Sequence, residues 1–166
     1  MAITGVLAAV ALPAFQGYVR RARTTEPINF LGVVKMRQEA YRMEFGGYAG
    51  LTGDVTAIAF LPGDGTVMID SMQVPWPGGA EFTALGASPD ATTVRFGYGI
   101  VAGSPGQANG GVAGGTDLTS DPYNVPAELL DFYFISQAVA DLDGDATVLT
   151  FEVTSFSRDM WTSNDD

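Results

Sequence analysis

Near the C-terminus, Asp141, Asp143, Asp145 and Glu152 stand at relative positions 1, 3, 5 and 12. That is the ligand spacing of a calcium loop of the EF-hand type, where hard carboxylate oxygens surround a hard cation. Three carboxylates within five residues also repel one another unless something neutralises them. The match is incomplete. Gly144 falls at loop position 4, and Ala146 occupies position 6, where the sharp turn calls for Gly. The segment Val148-Leu149-Thr150-Phe151-Glu152-Val153 alternates as a strand does, which would carry Glu152 away from the turn. Two readings stand: a calcium site, or a hairpin turn whose Asp side chains bond their own backbone. Calcium is the one cofactor these residues suggest, and nothing in the sequence requires any cofactor.

Other chemistry is thinly supported. The chain has no His and no Cys. Ser-His-Asp triads, His general bases, thiol catalysis, Cys-based zinc sites and disulfides are therefore excluded. Gly97-Tyr98-Gly99 lacks the third Gly and the following helix of a nucleotide-binding loop. Glu128 and Asp131, three residues apart before a strand, read as solvated surface rather than a glycosidase pair. Trp76 and Trp161 read as packing anchors. The expectation is a protein that is not an enzyme.

Charge divides the chain in two. Residues 1–45 carry six basic groups against three acids, a net +3; residues 46–166 carry two against sixteen, a net −14. The total is −11 in 166 residues, with 46% apolar and 16% charged residues. The length fits one domain, or one domain plus an appendage, and the apolar content argues against a disordered acidic chain. The acidic body would repel phosphates, so no nucleic-acid contact is expected of it.

Residues 1–19 contain no charged side chain, and Arg20, Arg21 and Arg23 follow at once. At about 1.5 Å per residue, a helix of this length nearly spans a bilayer core. A cleaved signal peptide would carry its basic cluster before the apolar run, not after it. A plain membrane anchor accounts for the hydrophobicity but not for Gly5 and Pro13. A buried globular helix of this kind does not suit so small a domain.

The stretch Gly5-Val6-Leu7-Ala8-Ala9-Val10-Ala11-Leu12-Pro13-Ala14-Phe15 resembles the GILAAIAIPAF segment of type IV pilins and of the pseudopilins of type II secretion. Gln16 to Arg23 continues in the same style. The resemblance implies an α+β pilin fold, a long N-terminal helix packed on a small antiparallel sheet. It implies that Gly5, Leu7, Val10, Leu12, Pro13 and Phe15 serve assembly, with identical subunits as partners in a helical filament. Before polymerisation the subunit would sit in the inner membrane with the pilus assembly machinery; afterwards it would be extracellular, on the bacterial surface. A pseudopilin shares this stem and is the alternative. A membrane-anchored calcium- or ligand-binding module is the alternative of another class. In the family a methylated Phe and a Glu lie upstream of this stretch, and neither matches a residue here. A disulfide often staples the family's last strands; without Cys, packing, hydrogen bonds or a metal would replace it. Pilins also melt in this stretch inside filaments. The residues point the same way, since Pro13 presses on the Ala9 carbonyl at about 3 kcal/mol and Gly5 adds roughly 1. Adhesion, motility, DNA uptake and surface sensing are roles among which no residue selects.

The remaining elements follow from periodicity. Residues 1–45 read as a stem helix and 46–166 as a globular, β-rich head. In the stem, Leu31, Val34, Tyr41 and Phe45 form one apolar stripe, and Val33, Met36, Ala40 and Met43 a second, so two packing partners are expected. Lys35, Glu39 and Arg42 form a polar stripe with Gly32. Pro27 predicts a kink or a fresh helix start, and Gly46-Gly47 the helix end. Residues 46–81 read as a long Gly- and Pro-rich connection with local strands, Glu81–Leu85 as a short strand, and 103–121 as a loop. In residues 93–101, Val94, Phe96, Tyr98 and Ile100 point one way, with Arg95 and the glycines opposite. Residues 131–140 and 147–156 read as two more strands. One long helix followed by a meander of three or four strands is an α+β arrangement.

Overall fold

The computed structural model describes residues 15, 17–50, 58–62, 72–106, 130–142 and 147–163. Residues 17–23 are helical (α1), Thr24 forms a turn, and α2 runs over Thr25–Phe45. The break is local. Thr24 still donates its N–H to the Arg20 carbonyl at 3.3 Å and its hydroxyl to Arg21 at 2.8 Å. Pro27, which has no N–H to give, sits in the first turn of α2, where a missing donor costs little. Glu26 places its negative charge at the same helix start. The helix ends at Gly46, whose left-handed backbone lets its N–H return to the Arg42 carbonyl at 2.8 Å.

Beyond the helix, β1 (Val74–Pro75) pairs antiparallel with β2 (Thr93–Val94). Between them lies α3 (Ala80–Leu85). A four-stranded antiparallel meander follows: β3 (Gly97–Gly103), β4 (Tyr133–Ala140), β5 (Leu149–Thr154) and β6 (Trp161–Thr162), in that order. Gly97 faces Val139 across β3–β4, and Ile135 faces Thr154 across β4–β5. The class is α+β, with α2 laid across β4 and β5.

The core lies between helix and sheet. Phe30, Leu31 and Val34 of α2 meet Phe96, Tyr98 and Ile100 from β3 and the link before it, Phe134 and Ala138 of β4, and Phe151 and Val153 of β5. The alternation expected at Val94, Phe96, Tyr98 and Ile100 holds, and all four are fully buried. A bend at Arg95–Phe96 divides that run between two sheets. Phe30, Trp76, Phe82 and Tyr98 form an aromatic group with ring centroids 4.7–6.0 Å apart. The other sheet face is buried too: Val101, Tyr133, Ile135 and Val139 pack with Ile58 and Phe60. Leu61 holds that crossing segment by exchanging backbone hydrogen bonds with Tyr98 at 2.8 Å.

Residues 81–85 depart from expectation, being helical rather than strand. Phe82 and Leu85 lie three residues apart and are both buried, a helical spacing. Gly86 closes the turn in the left-handed region (φ 61°), where Ala87 donates to the Phe82 carbonyl at 2.8 Å. The short strand β6 lies outside the predicted elements, whereas β1 is a local strand within the 46–81 connection.

Candidate functional site: the outward face of the stem helix

At 100° per residue, α2 presents two opposed faces. Pro27, Phe30, Leu31, Val34 and Gln38 are buried against the head. On the far side Met36 and Met43 are exposed, Met43 at 90%, with Gly32 and Ala40 beside them and the polar Thr25 and Asn29 on the same side, while Ile28 is exposed on the flank. Toward the N-terminus Phe15 and Tyr18 are exposed as well, Tyr18 at 74%. The two expected stripes are thus divided unequally. In the first, Leu31 and Val34 are buried, Tyr41 is half-buried and Phe45 is exposed; in the second, Val33 is half-buried while Met36, Ala40 and Met43 face outward. Phe45 runs past the edge of the sheet and stacks on Tyr41 instead, with ring centroids 4.4 Å apart.

The polar stripe is not a solvated face, because its members are tied to the head. Lys35 donates from Nζ to the carbonyls of Ser157 and Arg158, at 2.5 and 3.2 Å. Burial lowers its pKa, against the raising pull of Glu39 and Asp159. Arg42 pairs with Asp131 at 2.7 Å, donates to the Tyr48 hydroxyl at 2.9 Å and lies over the Tyr48 ring. The Arg42 contact holds the Asp131 carboxyl below its ordinary value. Glu26 accepts from the Arg95 N–H and the Tyr98 hydroxyl, both at 3.0 Å. Burial, then the Glu26 charge, pushes the Tyr98 hydroxyl pKa well above its ordinary range.

Gln38 is the functional polar residue that periodicity did not single out. Its side chain is fully buried one turn beyond Val34. It accepts the Ala49 N–H at 2.9 Å and donates back to the Ala49 carbonyl. The amide thereby acts as a strand partner for the chain emerging from the helix. The only sequence signal was a polar amide on an otherwise apolar face.

Of the expected assembly residues, Phe15 is exposed; Gly5, Leu7, Val10, Leu12 and Pro13 lie outside the described residues. So do Asp143 and Asp145. Asp141 is buried just after β4. Glu152 is buried within β5, opposite Gln137, whose amide donates to its carboxylate at 2.6 Å. Gln137 and Asp141 are four residues apart along one strand direction, roughly 13 Å. The strand therefore separates Glu152 from Asp141, and no group of three metal-ligating side chains gathers among the described residues. Glu81 is buried in the first turn of α3, and among the described residues neither of its carboxylate oxygens has a hydrogen-bond partner.

Two concavities flank the stem. One, of about 240 Å³, lies between α2 and the 88–93 loop and includes Glu26, Asn29 and Asp90. The other, of about 460 Å³, lies where the stem leaves the head and is lined by Phe15, Tyr18, Val19, Ala22, Arg23, Glu26 and Arg95. Among the described residues no helix is long and apolar enough to cross a membrane. Compared with known families, curated proteins and solved structures, the chain matches none.

Proposed function

We propose that this chain is the structural subunit of an extracellular filament of the type IV pilus kind, polymerising through its N-terminal helix. The observation that carries the reading is the two-faced stem. One face of α2 is built into the head's core, while the opposite face exposes Met36 and Met43 beside Gly32 and Ala40, with Ile28 exposed on the flank, and no described residue covers it. An amphipathic helix inside a lone globule needs one apolar face; a second one needs a second partner. The exposed face leads toward the uncharged N-terminal segment that resembles the pilin stem. Burying such surfaces between subunits stabilises a polymer at roughly 25 cal/mol per Å² gross, offset by the ordering of the subunits.

The test removes detergent from the purified full chain and from a chain lacking residues 1–20, then examines both by electron microscopy and light scattering. Long filaments from the full chain and monomers from the shortened one are expected. Stable oligomers of the shortened chain, or a full chain that never elongates, would overturn the proposal. Bristles of limited length would favour a pseudopilus.

A further inference from the structure

The two ends of the stem–head unit carry unlike apolar patches. At the C-terminal end of α2, Met43 and Phe45 are exposed. The Arg42–Asp131 pair draws Leu130 (91% exposed) and Phe132 to the same end, where the Phe132 ring lies over Gly47. At the other end, Phe15 and Tyr18 stand exposed in the 460 Å³ groove beneath the head. Tyr18 and Met43 are 25 residues apart, roughly 40 Å along the helix axis. The ends also differ in charge: Glu44 is exposed between Met43 and Phe45, whereas the groove carries Arg23 and Arg95 against one acid, Glu26, which accepts the Arg95 N–H and the Tyr98 hydroxyl.

We infer that these ends are mates, the crown of one copy (Met43, Glu44, Phe45, Leu130) seating in the basal groove of the next. Charge selects the pairing. Crown on crown would set Glu44 against Glu44, and groove on groove would set Arg23 against Arg23; only head-to-tail contact opposes unlike charges. Contact between two different patches repeats without closing, which is the geometry of a filament rather than of a two-fold dimer. The groove volume is of the size that receives several side chains. This contact rests on the filament reading and draws on the two ends of the stem's exposed surface, Met43 at one and Phe15 and Tyr18 at the other. It supplies the axial register between heads.

The chain contains no Cys, so introduced thiols report cleanly. Assembled full-length protein carrying Tyr18→Cys together with Leu130→Cys, and a second version with Tyr18→Cys and Met43→Cys, is oxidised and run on a denaturing gel. Disulfides need Cα atoms within about 7 Å, so a ladder of multimers reports the contact directly. A ladder from at least one double variant, and none from the single variants, is expected. Arg23→Glu should abolish the ladder, and adding Glu44→Arg should restore it. Filaments without any ladder would overturn this contact while leaving the filament reading intact. A dimer from Leu130→Cys alone would overturn it in favour of crown-on-crown contact. Absence of both filaments and ladder would overturn both proposals.

Discussion

Replacing Gln38 with Leu keeps the size of the side chain and its place in the core but removes both bonds to Ala49. Ala49 is itself buried, so its N–H and carbonyl would be left without partners. An orphaned buried polar group costs about 1–3 kcal/mol, so the pair should cost about 2–5 kcal/mol and lower Tm by roughly 5–15 °C. Gln38→Glu should be worse at neutral pH, because a carboxylate oxygen would face the Ala49 carbonyl. Burial and that carbonyl both raise the folded-state pKa of the new carboxyl. Its protonated form regains the donor, so the variant should hold most of its stability below the unfolded value of about 4.3 and lose it as pH rises through the folded value. Urea unfolding of both variants in detergent, from pH 3.5 to 8, with hydrogen exchange at the Ala49 amide, measures this. A Gln38→Leu protein within 1 kcal/mol of native, or a Gln38→Glu protein indifferent to pH, would refute the reasoning.

Tyr98→Phe deletes one donor to Glu26 and should destabilise by about 1.5–3 kcal/mol, the scale of a bond to a charged group; ultraviolet titration of the native protein should show Tyr98 ionising at higher pH than the exposed tyrosines. In Arg42→Gln, the Asp131 carboxyl should titrate at higher pH than in the native chain, as read by carbon-13 NMR. The native pair's contribution is present above the unfolded carboxylate pKa and fades as pH falls through the lowered folded value. Gly99→Ala places a Cβ on the Ile58 side chain and 2.9 Å from the Ala59 carbonyl, so the 58–60 segment must shift; thermal melts should show a loss of about 1–3 kcal/mol. If calcium binds at Asp141, Asp143 and Asp145, melts with millimolar calcium and with chelator should differ by about 2.7 kcal/mol at a hundredfold excess over Kd, and Asp143→Ala should remove the difference.

Where a local pattern decided the structure, the sequence was a sufficient guide. The alternation from Val94 to Ile100, the apolar runs that became β4 and β5, the restart near Pro27 and the stop at Gly46 all rest on neighbours in the chain. Where partners are distant, it was not. The carbonyls that receive Lys35 lie more than 120 residues away, and the mate of Gln38 is a backbone unit rather than a side chain, so neither leaves a trace in periodicity. Residues 81–85 misled because five residues are too few to separate a period of two from one of 3.6, and the decision fell to buried Phe82 and Leu85. The outward stripe of α2 was legible as an apolar surface in excess of what one core needs.

The ties between α2 and the head have a mechanical meaning. Glu26, Lys35, Gln38 and Arg42 each reach a different part of the head: the bend after β2, the 157–158 loop, Ala49, and the approach to β4. Their anchor points are spread over roughly 24 Å of helix. A tension applied along the stem acts nearly parallel to the helix–sheet interface, so the four ties are loaded together in shear rather than opened one after another. Slipping the helix by even one turn would break all of them and also pull Phe30, Leu31 and Val34 out of register with the sheet. A helix fastened in this way would share any pull along its axis among the four contacts, as a row of rivets does, with no single bond carrying the load.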